Sequence, residues 1–308
     1  MIRGNNMQEI TEEEYYEFIK KHKSITVENT VLEIGKEWEI KNYQPEHFEL
    51  EKTTVWSFPE RGAWATHYLN NRYRGNWAPQ VPRNIILRYS KEGDTVLDAF
   101  VGSGTTPIEC VLTGRNSISV DVNKEAAILT HDRLQFRHKM DISHKTTHKI
   151  FQGDARDLDK IDSESIDLIA THPPYANIIS YTQKSREEVK GDLSKVTSIN
   201  EFAKEMENVV KEFYRVLKPG RYCAVLMGDT RRHGHYIPVT VRVLDSFLNA
   251  GFILKEDIIK LQHKMFGTIK WRGKTNNFLL IAHEHLFVFR KPEKNERIVQ
   301  FKESMKWW

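Results

Sequence analysis

The chain of 308 residues has few cysteines and no long apolar run. Its two cysteines, Cys110 and Cys223, cannot form a disulfide framework, and no Cys-x-x-Cys pair gives the spacing of a zinc site. No run of 18 or more apolar residues provides a candidate for a membrane-spanning helix. The first residues lack the apolar stretch of a signal peptide. These absences predict a cytoplasmic protein.

Charge is nearly balanced, with a formal net charge of +4. Such a balance permits nucleic-acid binding without demonstrating it. The stretch 260–274 holds five Lys or Arg, two aromatic residues and no acid. Its cations could neutralise phosphates and its rings could stack on displaced bases, although a solvated lysine-rich loop explains it equally well. The 39% hydrophobic content fits a sizeable core.

From Asp94 onward, short apolar segments alternate with amphipathic helical patterns. The first apolar segment is the predicted strand 94–100. Such alternation predicts an α/β fold, with a mostly parallel seven-stranded sheet covered on both faces. The last two strands, 252–261 and 277–290, follow each other directly and should form an antiparallel hairpin. The other predicted strands are 117–121, 149–154, 166–172 and 221–229, and the helices are 12–21, 105–114, 124–137, 199–217 and 237–249.

Two glycines mark a possible ligand loop at the first strand-to-helix turn, within Asp98-Ala-Phe-Val-Gly-Ser-Gly-Thr-Thr106. Gly102 and Gly104 let the backbone lie against a ligand, and the following helix N-terminus attracts a carboxylate or a phosphate. A dinucleotide-binding fingerprint would require a third glycine where Pro107 stands.

Two acids close the next two strands. Asp121 is placed to accept hydrogen bonds from ribose hydroxyls, and Asp154 is placed to meet an adenine amino group. An acid at a strand end is often only a turn former, so each signal is weak alone. Their order along the chain is more informative.

The ordered segments DAFVGSGTT, VDVN, GDAR and ATHPPY resemble the amino-methylating DNA methyltransferase family, over about residues 52–291. Members modify N6 of adenine or N4 of cytosine. The resemblance implies a Rossmann-like class I methyltransferase fold, S-adenosylmethionine as cofactor without a metal, and double-stranded DNA with a flipped base, often within restriction–modification. By motif position it implies cofactor contacts from Asp98, Phe100, Gly102, Ser103, Gly104, Thr105, Thr106, Asp121, Val122, Asp154 and Ala155, with Asp154 matching less strictly.

A proline-containing stretch, Pro79–Asn84, is similar to the family's other cofactor motif, which packs against the methionine end of the cofactor. The resemblance therefore adds Pro82 and Asn84 to the expected cofactor site. The alternative is a proline turn that begins a helix.

The catalytic motif that the resemblance implies is His172, Pro173, Pro174 and Tyr175, after the fourth strand. A strand end in an α/β sheet opens onto the ligand crevice, and the prolines fix a turn with exposed carbonyl oxygens. The carbonyl oxygen of Pro173 and the side chain of His172 could accept hydrogen bonds from the target amine. The ring of Tyr175 could stack on the base. No covalent adduct is required, since neither cysteine follows a proline.

His172 departs from the family, whose members carry Asp, Asn or Ser there. A neutral imidazole can accept one hydrogen bond, which narrowly favours N4 of cytosine over N6 of adenine because Ser is typical of the cytosine enzymes. An ordinary histidine pKa of about 6.5 predicts that activity falls below neutral pH.

The expected organisation is an N-terminal extension (1–78), the methyltransferase domain (79–292) and a C-terminal tail (293–308). The aromatic segment Trp56–Trp77 either packs on the core or contacts DNA or cofactor. His283, Glu284 and His285 invite a metal interpretation, but a structural role is favoured since neighbours alternate faces along a strand. Asp229 could lie at the crevice edge.

Two rival functions remain open from sequence. One is an RNA base methyltransferase, since some share a Pro-Pro-Tyr motif; the other is a non-catalytic DNA- or cofactor-binding subunit. Target recognition would come from the N-terminal region, the loops 176–198 or 260–277, a homodimer or a partner subunit. No membrane partner is expected.

Overall fold

The fold is described from a computed structural model, which describes residues 7–27, 30–140, 146–174, 191–196, 198–263 and 277–305. The helices are α1 Glu12–Lys21, α2 Gln80–Tyr89, α3 Thr105–Leu112, α4 Lys124–Arg133, α5 Ile199–Val216 and α6 Val239–Asn249. The strands are β1 Gln8–Glu9, β2 Ser24–Val27, β3 Thr30–Glu33, β4 Val55–Trp56, β5 Thr95–Asp98, β6 Asn116–Asp121, β7 His148–Gln152, β8 Ile166–Thr171, β9 Leu217–Met227, β10 Thr230–Arg232, β11 His235–Ile237, β12 Ile253–Leu261 and β13 His283–Arg290.

One sheet forms the centre, with strand order β1-β7-β6-β5-β8-β9-β13-β12-β4. Strands β7, β6, β5, β8 and β9 are mutually parallel, and β13 runs antiparallel to both β9 and β12. This confirms the Rossmann-like α/β fold and its antiparallel final hairpin. The seven predicted strands are all present, and the short strands β1 and β4 extend the sheet to nine.

The order of the strands places a crevice beside β5. The chain passes from β5 to β6 on one side and later to β8 on the other, so the connections leave β5 in opposite directions. Ligands of open parallel sheets bind at the carboxyl ends of the strands where this reversal occurs. The ends of β5, β6 and β8 therefore define the candidate site.

Helices cover both faces of the sheet. Leu97 packs in one core cluster with Phe213 of α5 and Phe247 of α6, whereas Val96 packs in another with Ile85 of α2. Adjacent residues of a strand point to opposite faces, so α5–α6 and α2 lie on opposite sides. Helix α5 begins as predicted, with Ser198 Oγ accepting a hydrogen bond from the Glu201 amide.

Residues of the N-terminal extension form hydrogen bonds with the end of α4. Asp132 is buried and accepts hydrogen bonds from Tyr15 Oη at 2.9 Å, Gly35 N at 2.6 Å and Trp38 Nε1 at 3.1 Å. The adjacent Arg133 forms an ion pair with the same carboxylate. A buried charge is tolerated when it is paired and hydrogen-bonded in this way. The extension thus packs on the core, while the division at residues 78 and 79 stays a prediction.

Four details of the sequence-based prediction need correction. Helix α4 ends at Arg133 and a 3-10 helix follows at Gln135–Lys139. Strand β9 begins at Leu217, so the predicted helix stop at 218–220 lies within that strand. Strand β13 begins at His283 instead of residue 277. The polar run before α6 forms the hairpin β10–β11. In the described ranges no helix is long and apolar enough to cross a membrane.

Candidate active site

The glycine-rich loop forms the predicted strand-to-helix turn. It connects Asp98, at the end of β5, to Thr105, the first residue of α3. Gly102 has φ +54° and Gly104 has φ +84°, a left-handed conformation that glycine adopts without steric cost. The turn directs the N-terminus of α3 towards the crevice, where its positive dipole end favours an anionic group.

Asp98 holds the loop to the neighbouring strand. Its carboxylate accepts hydrogen bonds from Thr106 Oγ1 at 2.5 Å, Thr171 Oγ1 at 2.6 Å and the Phe100 amide at 3.1 Å. Burial raises the pKa of Asp98 to about 6, against the lowering effect of these bonds. Because Thr171 directly precedes His172, this carboxylate fixes the relative position of the glycine-rich loop and the His-Pro-Pro motif.

Asp121 is fixed at the end of β6 and is partly exposed. It accepts hydrogen bonds from the amides of Gly102 and Asn123, each at 2.9 Å. Burial raises the pKa of Asp121 to about 6. A carboxylate oriented by two amides retains acceptor capacity for a ligand hydroxyl.

Thr105 gives a direct sign of a missing ligand partner. It is buried at the start of α3, and its Oγ1 has no hydrogen-bond partner among the described residues. Buried hydroxyls are nearly always hydrogen-bonded, so such an oxygen indicates a group that completes the site. A cofactor with a carboxylate, hydroxyls and an amino group fits this set of loop, helix end and acids.

Asp154 differs from the expected open acceptor. Arg156 binds both of its carboxylate oxygens, through Nε at 2.9 Å and Nη2 at 2.5 Å. Gly191 lies against the pair: a Cβ at this position would be 2.7 Å from Asp154 Oδ2 and 3.3 Å from Val122. Gly191 therefore lies over the ends of β6 and β7. Ala155 is buried in the adjacent core cluster.

His172 lies between the sheet and the segment 66–77. Its ring stacks on Trp77, with centroids 6.0 Å apart, and forms a hydrogen bond with the Gly75 backbone. Burial lowers the pKa of His172 to about 4. The imidazole is therefore neutral at physiological pH. Pro173 and Pro174 follow it, and Tyr175 lies outside the described residues.

The segment 66–77 is the main part of the site that sequence reasoning did not resolve. Asn70 Nδ2 donates to the Ser103 carbonyl at 2.9 Å, and Asn76 Nδ2 donates to Ser103 Oγ at 3.3 Å. The Tyr73 ring lies directly over Gly102, 3.1 Å from where a Cβ would stand. One segment thus contacts both the glycine-rich loop and His172. The run of asparagines and aromatics was its only sequence signal.

The proline motif forms the first turns of α2, which is the alternative that the sequence left open. Pro82 and Asn84 are buried there. Asn84 Oδ1 accepts from the Glu51 amide at 2.8 Å, and its Nδ2 donates to the Gln80 carbonyl at 2.9 Å. The bond from Glu51 ties α2 to the N-terminal extension. A cofactor contact from this motif stays a prediction.

A buried carboxylate, Glu109 of α3, anchors the same extension beneath the loop. It accepts hydrogen bonds from Trp64 Nε1 at 2.7 Å and Arg83 Nη1 at 2.8 Å, and it lies 2.7 Å from His67 Nε2. Burial lowers the pKa of His67 despite this neighbour. The segment Trp56–Trp77 therefore packs on the core, and it also covers the crevice.

Asp229 stands just after β9 and holds the hairpin β10–β11. It accepts from Tyr236 Oη at 2.5 Å and from Thr240 Oγ1 at 2.8 Å. Arg231 lies over the ring of Phe278, 5.3 Å from its centroid, and donates to the Leu279 carbonyl at 2.9 Å. The hairpin thus forms a wall at the edge where β8 and β9 end. Part of the basic stretch 260–274 lies outside the described residues.

The histidines of β13 have local partners. Glu284 binds Lys260 Nζ at 2.8 Å, and His285 Nδ1 lies 2.9 Å from Asp257 Oδ1. These contacts agree with the favoured structural role. Across the part of the chain that is described, no cluster of three or more His, Cys, Asp or Glu side chains has the arrangement of a metal site.

Comparison with known proteins assigns the family. The profile of the amino-methylating N6/N4 family, described as DNA methylase, matches residues 4–131 and 166–307. The chain belongs to this DNA methylase family. A second profile, described as conserved hypothetical protein 95, matches residues 84–211.

Relatives match only part of their length. Type II methyltransferase M.MthZI of Methanothermobacter thermautotrophicus is 29% identical over 48% of this chain and 45% of its own. Type II methyltransferase M.MjaI of Methanocaldococcus jannaschii is 28% identical over 49% and 58%. The chain thus spans about half the length of these curated relatives. A tRNA (guanine(10)-N2)-dimethyltransferase of Methanothermobacter thermautotrophicus is 34% identical over 33% and 29%. A solved SAM-dependent methyltransferase from Methanosarcina mazei aligns at 17% identity with a TM-score of 0.46, over 68% of this chain and 98% of its own.

Proposed function

We propose that the protein transfers a methyl group from S-adenosylmethionine to the exocyclic amino group of a base in duplex DNA. The observation that carries the proposal is the junction of two motifs at one crevice. Asp98 joins the glycine-rich loop to Thr171, directly before His172. A cofactor held by the loop and a base held by the His-Pro-Pro motif would meet there.

The cofactor would be held at three points. Asp121 would accept hydrogen bonds from ribose hydroxyls, since its carboxylate is already oriented by two amides. Thr105 and the N-terminus of α3 would face the methionine end, where a buried oxygen lacks a partner among the described residues. S-adenosylmethionine supplies an electrophilic methyl group when bound. Phe100, Ser103, Gly104, Thr106 and Val122 line the same strand ends. Asp154 would contact the adenine amino group while it remains ion-paired with Arg156.

The chain's own contribution to the chemistry is hydrogen-bond acceptance. The lone pair of an exocyclic amine is delocalised into the ring, and acceptors at its N–H groups favour a more nucleophilic geometry and stabilise the developing charge. A neutral His172 whose ring donates one N–H to a backbone carbonyl keeps a lone pair on its other nitrogen, Nδ1, and the target amine would donate to this buried atom. The Pro173 carbonyl is the second acceptor. Tyr175 would stack on the base.

The DNA would lie across the edge formed by the ends of β8 and β9. The base would leave the helix to reach His172, because the amino group of a paired base is held within the duplex. The hairpin β10–β11 stands at this edge and exposes Arg232, His233 and His235. The Arg232 guanidinium suits a phosphate contact. Leu279, 82% exposed, lies beside the hairpin.

Cytosine N4 remains the narrowly favoured target. A neutral acceptor at position 172 resembles the serine of N4-cytosine enzymes more than the aspartate of adenine enzymes, and the pKa of about 4 keeps it neutral. The names of the Type II relatives support a role in restriction–modification. Such a role would place the protein with the DNA in the cytoplasm. Recognition of sequence would involve residues 1–78, the surface loops or a second subunit.

A labelled-methyl assay tests the proposal. Purified protein is incubated with labelled S-adenosylmethionine and with duplex DNA or total tRNA, and mass spectrometry identifies the modified base. N4-methylcytosine in DNA is expected, and N6-methyladenine alone would reverse the base preference. An RNA substrate is the second candidate because of the similarity to the tRNA dimethyltransferase. Label confined to tRNA would replace DNA as the substrate.

A further inference from the structure

Arg61 is a partly buried cation whose guanidinium forms no ion pair with the residues that the structure describes. Its Nη1 donates to the Asn76 carbonyl at 3.3 Å. Its Nε and Nη2 are buried and have no hydrogen-bond partner within the described ranges, and the ion pairs formed there do not include it. Burial lowers the pKa of Arg61 to about 10. The guanidinium still carries its charge at neutral pH.

Three arginines among the described residues are buried, and each guanidinium has acceptors within the chain. Arg115 donates to Ser90 Oγ and to the carbonyls of Ser90 and Thr113. Arg83 binds Glu109 at 2.8 Å, and Arg133 forms an ion pair with Asp132. Burying a charge without a partner costs several kcal/mol, roughly, even after the surroundings relax. The unpartnered Nε and Nη2 of Arg61 therefore indicate an acceptor beyond the described residues, and the positive charge favours an anionic one.

The position of Arg61 limits which anion this is. Asn76, its hydrogen-bond partner, also contacts Ser103 in the glycine-rich loop, and the preceding Gly75 contacts His172. Arg61 is close enough to His172 that its charge helps to lower the pKa of that histidine. Arg61 thus lies between the loop and the catalytic motif.

A cofactor bound as in the proposed function must pass through this region. Its ribose would lie at Asp121 on β6, whereas its methyl group must reach His172 after β8. The amino-acid end therefore lies on the β8 side, beside the start of α3. That end carries a carboxylate, and both the helix dipole and a guanidinium stabilise a carboxylate.

We propose that Arg61 binds an anionic oxygen group, and that this group is the carboxylate of the methionine part of S-adenosylmethionine. The inference rests on the proposed function. A phosphate of the DNA backbone has the same chemistry. The carboxylate is favoured because Nε and Nη2 are buried, and because Asn76, which accepts from Arg61, also contacts Ser103 of the glycine-rich loop, where the proposed cofactor would lie.

Calorimetry with two nucleosides tests the assignment. S-adenosylhomocysteine carries the carboxylate, and 5′-methylthioadenosine lacks the amino-acid group. Arg61→Met keeps the apolar stem and removes the charge. It should weaken S-adenosylhomocysteine binding about 10- to 100-fold, the range expected for losing a charge-assisted hydrogen bond. Binding of 5′-methylthioadenosine should change less than about twofold, within the scatter of such energies. Arg61→Lys should restore part of the affinity.

Thermal unfolding of the ligand-free protein provides the matched control. Arg61→Met should unfold at the same or a higher temperature than wild type, because it removes a guanidinium whose Nε and Nη2 have no partner among the described residues. Arg83→Met should lower the unfolding temperature, because it leaves Glu109 without its cation. A large destabilisation by Arg61→Met would show that the guanidinium is already satisfied and would overturn the proposal.

The remaining outcomes separate the possible sources of the anion. Equal weakening of both nucleosides would mean that Arg61 only shapes the site, and would overturn the proposal. Weakened duplex-DNA binding with both nucleosides unaffected would assign the anion to a phosphate and overturn the carboxylate. If wild type bound neither nucleoside, the proposed function would fail as well, whereas a selective loss in a protein that binds both leaves that function intact.

Discussion

The imidazole of His172 lies against the indole of Trp77, with ring centroids 6.0 Å apart and ring planes inclined by 30°. Trp77 is buried. The stack and the hydrogen bond to the Gly75 backbone together fix the orientation of the imidazole. An acceptor held in one orientation before the substrate arrives needs no reorganisation during the reaction.

The pH dependence of turnover should reflect this burial. The pKa of about 4 means that His172 gains its proton, and loses its acceptor, only near pH 4. The expected fall below neutral pH is therefore wrong for this residue. At saturating cofactor and DNA, the contribution of His172 to kcat should be constant from pH 6 to 8. His172→Asn keeps an acceptor that does not titrate, and its kcat profile in this range should match wild type. A step near pH 6.5 that this variant removes would contradict the prediction.

Cofactor affinity should fall on acidification. Asp121 accepts hydrogen bonds at both oxygens most strongly when it is ionised, and burial raises its pKa to about 6. Below that pH the protonated group loses acceptor capacity, so S-adenosylmethionine should bind more weakly as the pH falls from 7.5 to 5. Calorimetry measures this. Asp121→Asn should flatten the profile, and Asp121→Ala should weaken binding by roughly 1–3 kcal/mol. Wild-type affinity in a folded Asp121→Ala protein would remove the residue from the site.

The raised pKa of Asp121 also predicts a stability effect. A carboxyl group whose pKa is higher in the folded state stabilises the fold at low pH, and this contribution is lost as the pH rises from about 4 to 6. Ligand-free Asp121→Asn should therefore show a smaller loss of unfolding temperature than wild type across that window. An identical loss in both proteins would argue against the shift.

Arg232 should contribute to DNA binding without affecting the cofactor. It is exposed on the hairpin at the site edge. One lost phosphate contact should reduce the slope of log affinity against log salt concentration by about 0.9. Fluorescence anisotropy of Arg232→Ala with a labelled duplex measures this slope. Lys91→Ala is the control, since Lys91 is exposed before β5, at the opposite edge. Equal slopes in both variants would remove the hairpin from the interface.

Gly102 should be more sensitive to substitution than an unconstrained glycine. Both Gly102 and Gly93 have positive φ, at which alanine costs about 1–2 kcal/mol. A Cβ at Gly102 would additionally stand 3.1 Å from the Tyr73 ring, whereas nothing lies within 4 Å at Gly93. Denaturant unfolding should show the larger loss for Gly102→Ala. The excess should disappear in a Tyr73→Ala background, and its persistence there would exclude the ring as its cause.

Tyr175→Ala should remove most DNA methylation and spare cofactor binding. Stacking on an extruded base contributes about 1–3 kcal/mol. Tyr175→Phe retains the ring and should retain most of the turnover. Unchanged turnover of Tyr175→Ala on duplex DNA would refute the stacking role.

Local signals in the sequence predicted much of this fold. The bounds of α1 agree with the structure, and α5 begins after the predicted cap at Ser198, because caps and amphipathic periodicity involve neighbouring residues only. The core strands β5–β9 were found because each is a short apolar run. Strands β1 and β4 have two residues each, too few for any periodicity. The hairpin β10–β11 is polar and depends on Asp229 and Phe278, which no local pattern reveals.

The site was predictable to a similar extent. Motifs within one loop, such as Asp98–Thr106, carry their chemistry in their spacing. The pKa of His172 could not be predicted, since it depends on Trp77 and Gly75, about 95 residues earlier in the chain. Arg61 was missed for a different reason. Its interest lies in the absence of an ion pair with any described residue, and a sequence does not show which charges form ion pairs.

The short edge strand β4 has a consequence for synthesis on the ribosome. Val55 in β4 pairs with Ile259 in β12, roughly 200 residues later. Contacts so distant in sequence form slowly, because the intervening chain loses much entropy when they close. The segment that carries Arg61, Tyr73 and Trp77 leaves the ribosome well before β12. Strand β4, which lies just before this segment, can pair with β12 only later. Nascent chains arrested before residue 253 should expose Trp56 to proteases, and chaperones that bind apolar segments would recognise it during that interval.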